Sequence, residues 1–357
     1  MKPQSSDALL VRNVSAVTRR ETIGGSAALF AATTLPGKVR AQPKEIVVGG
    51  AASHKPWMDS QIIPAFEKKY GSKIIFEGGR SSINLQKMQT NKLQPTLSVV
   101  MMDDPFLITA MEEGLIEKLD SKGIANLTKI RNSAIHFDGA WANYLQPWAG
   151  IAFNSEKVPG GVASWEALWD PKFRGRVAIP SLQNTDGVFT LFMASHLATG
   201  KPVPDSSKDI DAAFKKLAEL KPNLLTVYTN LPQTSNLLEQ GEAHLMVSFS
   251  SYVLLRKQQN TPIDLAAPKE GIFPMPSGIA LVKGGPQREL AQAFINEMLG
   301  AEFQSKIAPL TFSLPTHPDA KSPPGMPSNV AVHPIDWGWV GKNRADLIAR
   351  WDKTMAL

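Results

Sequence analysis

One run of the chain does more than any other to restrict its fold. Ser164-Trp165-Glu166-Ala167-Leu168-Trp169-Asp170-Pro171 sets a capping serine, an aromatic-rich helical turn and an Asp-Pro stop side by side. Lys172-Phe173-Arg174-Gly175-Arg176-Val177-Ala178-Ile179-Pro180-Ser181 then supplies a basic turn, a short apolar strand and a polar exit. Serine accepts hydrogen bonds at a helix N-terminus, the residue before proline leaves the helical region, and a short apolar run between polar ends suits a buried strand. Helix, buried strand and polar exit together are the repeating unit of a wound α/β protein, in which ligands sit where the strands end.

The first half repeats the pattern. A strand, Glu45–Gly50, leads into the polar loop Ala51–Trp57, which carries Ser53, and then into an amphipathic helix with Ile62, Ile63, Phe66 and Tyr70 at helical spacing. Pro64 places the helix start nearby, and Gly71 stops it. The strand Lys73–Glu77 runs into Gly78-Gly79-Arg80-Ser81-Ser82 and a helix through Leu85, Met88 and Leu93. Ser81 or Ser82 either caps that helix or joins its free N–H groups in receiving an anionic or polar ligand. At the exit of Leu97–Met102 stands Asp103-Asp104-Pro105, where one carboxylate is expected to cap the next helix and the other to face a cleft.

The second half mirrors the first. Trp141–Gly150 connects the two, and its aromatics around Pro147 suit a hinge with Tyr144 and Trp148 turned to a cleft. After Arg176–Pro180, read as a strand, the loop Gln183-Asn184-Thr185-Asp186-Gly187 opens an apolar helix, which gives a second half-site. The strand His244–Phe249 exits at Ser250-Ser251-Tyr252, and Ile272–Ser277 brings Met275 and Ser277 up to the strand Ile279–Val282. Ile210–Leu220 is an amphipathic surface helix, Gly241 and Gly300 close two more, and the last helix carries Trp351.

A chain of 357 residues, 43% of them apolar, is long for one core, so two lobes are expected. Thr18-Arg19-Arg20 before a modest apolar run and Val39-Arg40-Ala41 after it read as an export leader over residues 1–41, of twin-arginine type, cleaved near Ala41 into the periplasm. That run is too short and too polar to span a bilayer. With the leader's six basic and two acidic groups set aside, 32 basic groups face 30 acidic ones, which is no footprint for nucleic acid. The chain has no cysteine, which excludes disulfides and thiolate chemistry. Its six histidines form no HExxH motif and no i, i+4 pair, and neither a G-x-S-x-G elbow nor a P-loop occurs. No metal or cofactor is expected.

Phe66–Gly71, Gly150–Asn154, Ser164–Pro180, Gly241-Glu242-Ala243, Pro268–Gly271 and Ala293–Asn296 together resemble the periplasmic solute-binding proteins of ABC importers, in the polyamine, ferric-ion and phosphonate branch. The resemblance implies a type II two-lobed α/β fold with mixed sheets, a hinge of crossing strands and closure on a buried ligand. Lobe 1 is then expected at 42–147 with 272–310, and lobe 2 at 148–271 with 311–357. It also implies a small-molecule solute and an inner-membrane permease as partners, for a monomer. Polyamine binders carry Trp and Asp where this chain has Pro274 and Pro276, and ferric binders carry a Tyr pair where it has Ser251-Tyr252, so neither cargo carries over.

The resulting expectation is a binder, not an enzyme, for a small polar or zwitterionic solute that is polyamine-like, amino-acid-like or phosphonate-like. Ser53, Arg80, Ser81, Ser82 and Asp103 would come from one lobe, and Asn184, Thr185, Asp186, Ser250 and Tyr252 from the other, with Tyr144, Trp148, Met275 and Ser277 near the hinge. Arg80 would grip a carboxylate or phosphate, and Asp103 or Asp186 an amine. A ligand-sensing subunit for a receptor is the second reading, and a periplasmic enzyme using Asp103, Asp104 or Asp186 as base is the third.

Overall fold

The structure, a computed structural model, describes residues 44–355 apart from 207, 276, 328 and 329. The leader, its paired arginines and its cleavage position lie outside the described residues. In chain order the first strands are β1 (Glu45–Gly50), β2 (Lys73–Gly78), β3 (Val99–Met102), β4 (Ile116–Glu117), β5 (Ile135–His136) and β6 (Trp141–Asn143). There follow β7 (Leu145–Asn154), β8 (Val177–Pro180), β9 (Leu224–Tyr228), β10 (Leu245–Phe249), β11 (Ile263–Ala266), β12 (Phe273–Pro274), β13 (Gly278–Val282) and β14 (Ser313–Pro315).

These strands make two mixed sheets. The first runs β2-β1-β3-β13-β6-β5, with β4 also on β13, and the second runs β11-β7-β10-β8-β9, with β12 and β14 also on β7. β1 pairs parallel with β2 and β3, and β8 pairs parallel with β9 and β10. Each sheet thus has three parallel strands wound with helices, finished by antiparallel ones. β13 is driven in antiparallel between β3 and β6, and the all-buried Val99–Met102 run fits a strand covered on both faces and paired on both edges.

The segment expected as a connecting hinge is strand almost throughout. β6 ends at Asn143, a single residue intervenes, and β7 begins at Leu145 in the other sheet. Tyr144 therefore stands at the crossing itself.

The helical turns depart from simple expectation in three places. The run Lys55–Tyr70 is helical throughout but widens at Met58–Ile62, where the Ile63 N–H reaches back to the Met58 carbonyl. That widened turn precedes Pro64 and takes up the register change a proline without an N–H imposes. Gly71 closes the helix in the left-handed region at φ 58°, as expected. Ser164 accepts from the Glu166 N–H and Asp170 from the Lys172 N–H, but the turns they open are short 3₁₀ segments rather than one helix. Ala301–Thr311 is a helix that sequence reading did not single out, and Pro309 near its end disguises it.

Trp165 and Phe173 are buried in the second half, with Trp169 packed against the same cluster. The C-terminal helix Trp337–Met355 packs on both Ile210–Leu220, behind the second sheet, and Asp104–Glu112, behind the first. Trp337, Val340 and Trp351 are buried there, so one apolar cluster runs across both halves. A second cluster, with Trp57, Phe66, Phe294 and Phe303, lies behind the first sheet.

Candidate ligand-binding site

Six parallel-strand ends point at one cleft. The residues just beyond β1, β2 and β3 are Ala51–His54, Gly79–Ser81 and Asp103, and those beyond β8, β9 and β10 are Ser181–Asp186, Thr229–Leu231 and Ser250–Tyr252. Chain after a parallel strand is free of ladder bonds and so available to a ligand. Two cavities follow from this arrangement. One, of about 680 Å³, is bordered by Arg80, Asn184, Thr185, Asp186, Asn230 and Met275. The other, of about 600 Å³, is bordered by Ser53, His54, Trp57, Tyr144, Tyr252 and Ser277, and Phe249 lines both.

Asp103 and Asp186 come from different sheets and feel each other's charge. Burial lifts Asp103 from the ordinary 3.8 to about 7, with the Asp104 and Asp186 carboxylates adding to the effect. Burial lifts Asp186 to about 6, opposed by its own backbone amide and by the Tyr228 hydroxyl. That hydroxyl lies 3.4 Å from Asp186 Oδ2 and also donates to the Val247 carbonyl at 2.8 Å. Carboxylates that burial makes reluctant to ionise are stabilised in their charged form by a nearby cation.

Neither aspartate caps a helix through its side chain, contrary to the sequence expectation. Asp103 occupies the position before Asp104–Glu112 but makes no capping bond, while its N–H donates to Ser81 Oγ at 3.2 Å. Asp104 is buried and accepts from Trp141 Nε1 at 2.9 Å and Asn143 Nδ2 at 3.0 Å. Burial raises it too, opposed first by the nearby His136. Asp104 thus ties the start of its helix to β6. Ser81 does not cap its helix either; Arg80 holds that position without a side-chain bond.

Tyr144 is buried at the crossing. Burial pushes its phenol up, hydrogen bonding with Ser277 opposes this, and the charge of Asp103 adds to it. The charge of Asp103 thus reaches Tyr144, which borders one cavity, and Asp103 in turn feels Asp186, which borders the other. The other expected residues scatter. Ser82 is exposed and borders neither cavity. Ser250 is fully buried and accepts the Trp148 N–H at 3.0 Å, and Trp148 borders a separate cavity of about 570 Å³ beside Phe312 and Lys257.

Three contributors escaped the sequence reading. His54, which its isolation among histidines made unremarkable, packs 4.9 Å from Trp57 with its Nδ1 buried and unpartnered, and burial lowers it to about 4, so it is neutral. Trp57 ends what reads as a polar loop but sits in the helical turn Lys55–Trp57, and Phe249, the last residue of β10, lines both cavities.

The sequence and the fold both have known counterparts. Residues 94–343 match the family described as bacterial extracellular solute-binding protein. The spermidine/putrescine-binding periplasmic protein of Escherichia coli strain K12 is 28% identical over 265 residues, covering 71% of this chain and 73% of that protein. A putative 2-aminoethylphosphonate-binding periplasmic protein of Salmonella typhi is 23% identical over 310 residues, covering 83% and 87%. Among solved structures, an ABC transporter protein from Clostridium perfringens superposes with a TM-score of 0.75 at 24% identity, covering 87% of this chain and 99% of that one.

Proposed function

Because the chain belongs to the bacterial extracellular solute-binding proteins, we propose that it captures a small polar or zwitterionic solute by its amine and delivers it to an ABC permease in the inner membrane. The observation that carries this reading is the pair Asp103 and Asp186, set on opposite sheets and each raised by burial. An ammonium between them satisfies both carboxylates, relieves their repulsion and draws the two halves together. Arg80, on the same cavity as Asp186, receives a carboxylate, phosphate or phosphonate if the solute has one. Both relatives named above are called binders of amine-bearing molecules, which supports an amine as the shared feature.

The bodies that close are lobe 1, residues 42–147 with 272–310, and lobe 2, residues 148–271 with 311–357, turning about the crossing at Tyr144. The protein acts by binding, without turnover, as a monomer and without nucleic acid. It works in the periplasm after twin-arginine export and cleavage near Ala41. Micromolar affinity corresponds to about 8 kcal/mol, within reach of one ion-paired amine plus an enclosed body. Native mass spectrometry of purified protein identifies retained solute, and calorimetry then compares wild type with Arg80→Ala and Asp186→Ala. Unchanged affinity in both variants would place the site elsewhere.

A further inference from the structure

The two cavities share Phe249 in their linings and differ sharply in charge. The one beyond β8 holds Arg80 and Asp186. Among the described residues, none of those lining the other is Asp, Glu, Lys or Arg. Its walls are aromatic and aliphatic: Trp57 and Tyr144 are buried with ring centres 6.5 Å apart, His54 lies against Trp57, and Tyr252 and Phe249 come from the second sheet's side. Leu255 and Leu310, which also line it, are 38% and 41% exposed, so part of the wall is apolar surface open to an occupant. Arg256 stacks on Tyr252 at 5.4 Å and is ion-paired with Glu239.

Resting on the amine-capture reading above, we propose that the solute is a monoammonium compound with an uncharged aromatic or aliphatic body: the ammonium lies at Asp103 and Asp186, and the body crosses Phe249 into the chamber of Trp57, Tyr144 and Tyr252. A second ammonium in that chamber would lose its water and find no carboxylate among the residues that line it. An apolar body instead covers the exposed Leu255 and Leu310 and gains by leaving water. The chamber thus selects against the linear diamines that the paired aspartates alone would accept. The scattered hydroxyls of Ser53, Ser251 and Ser277 leave room for a hydroxyl or carbonyl on the body but offer nothing to a full charge.

The test uses two amines with the same four-carbon spacing, 1,4-diaminobutane and 4-phenylbutylamine, titrated calorimetrically into the full mature protein and into Leu255→Asp. Leu255 is partly exposed, so the substitution leaves the fold intact, which the unliganded Tm checks. Wild type is expected to bind 4-phenylbutylamine at least tenfold more tightly than the diamine, and Leu255→Asp to cut or reverse that ratio at least tenfold. If wild type prefers the diamine or binds the two equally, or if Leu255→Asp leaves the ratio unchanged, the inference is overturned while amine capture stands. If neither amine binds at millimolar concentration, amine capture falls with it.

Discussion

Asp103→Asn should make the empty protein more stable while spoiling its site, and the size of the effect follows from the carboxylate's surroundings. Burial and the charges of Asp104 and Asp186 lift Asp103 from 3.8 to about 7. Between those values the folded chain keeps a proton that the unfolded chain releases. Stability attributable to this group is therefore full below pH 4, falls as pH rises toward 7, and is flat above it. At about 1.4 kcal/mol for each pH unit, the interval is worth at most on the order of 4 kcal/mol. Asparagine keeps the shape without the charge, so the variant should match wild type near pH 4 and exceed it at pH 8 by up to that amount. A chain of this length gains roughly 2 °C in Tm per kcal/mol, so the expected rise at pH 8 is up to about 8 °C. Differential scanning calorimetry of both unliganded proteins from pH 4 to pH 8 reads the gap directly. A gap that stays constant with pH, or a variant less stable than wild type at pH 8, would refute the reasoning that the cleft holds mutually repelling carboxylates in reserve for a cation.

Two further substitutions probe the scaffold around the site. Glu270 accepts from Ser164 Oγ at 2.5 Å and from the Trp165 N–H at 3.0 Å, so Glu270→Ala leaves a buried donor unpaired and should cost about 2 kcal/mol in urea denaturation. Gly150 lies where β7 meets β11, and a Cβ there would fall 2.3 Å from the Ala266 carbonyl oxygen, so Gly150→Ala should cost on the order of 3 kcal/mol and reduce the soluble yield measured after expression.

Local chemistry made much of the molecule legible in its sequence. The Gly71 stop and the Ser164 and Asp170 caps depend on residues a few positions apart and stand where turn chemistry places them, and the strand read from Arg176 starts one residue later, at Val177. Partners far along the chain are a different matter. Ser81 has every attribute of a capping residue, yet its hydroxyl takes the Asp103 N–H because β2 and β3 flank β1 in one sheet. Asp103 and Asp104 look interchangeable side by side, and only the approach of Trp141 and Asn143 makes one of them a tether. His54 carries no spacing signal at all, since its significance lies in Trp57 beside it and Tyr144 across the crossing.

The position of β13 bears on how the protein comes to be folded at all. The core of the first sheet is unfinished until Gly278–Val282 has been synthesised, although β3 and β6, which it separates, emerge long before. Throughout that interval Val99-Val100-Met101-Met102 offers an apolar edge with no native neighbour, and closing it requires a contact of very high sequence separation. Refolding should accordingly be limited by docking of this one late strand, and the nascent chain is most prone to mispairing and aggregation while it waits for residues from its last quarter.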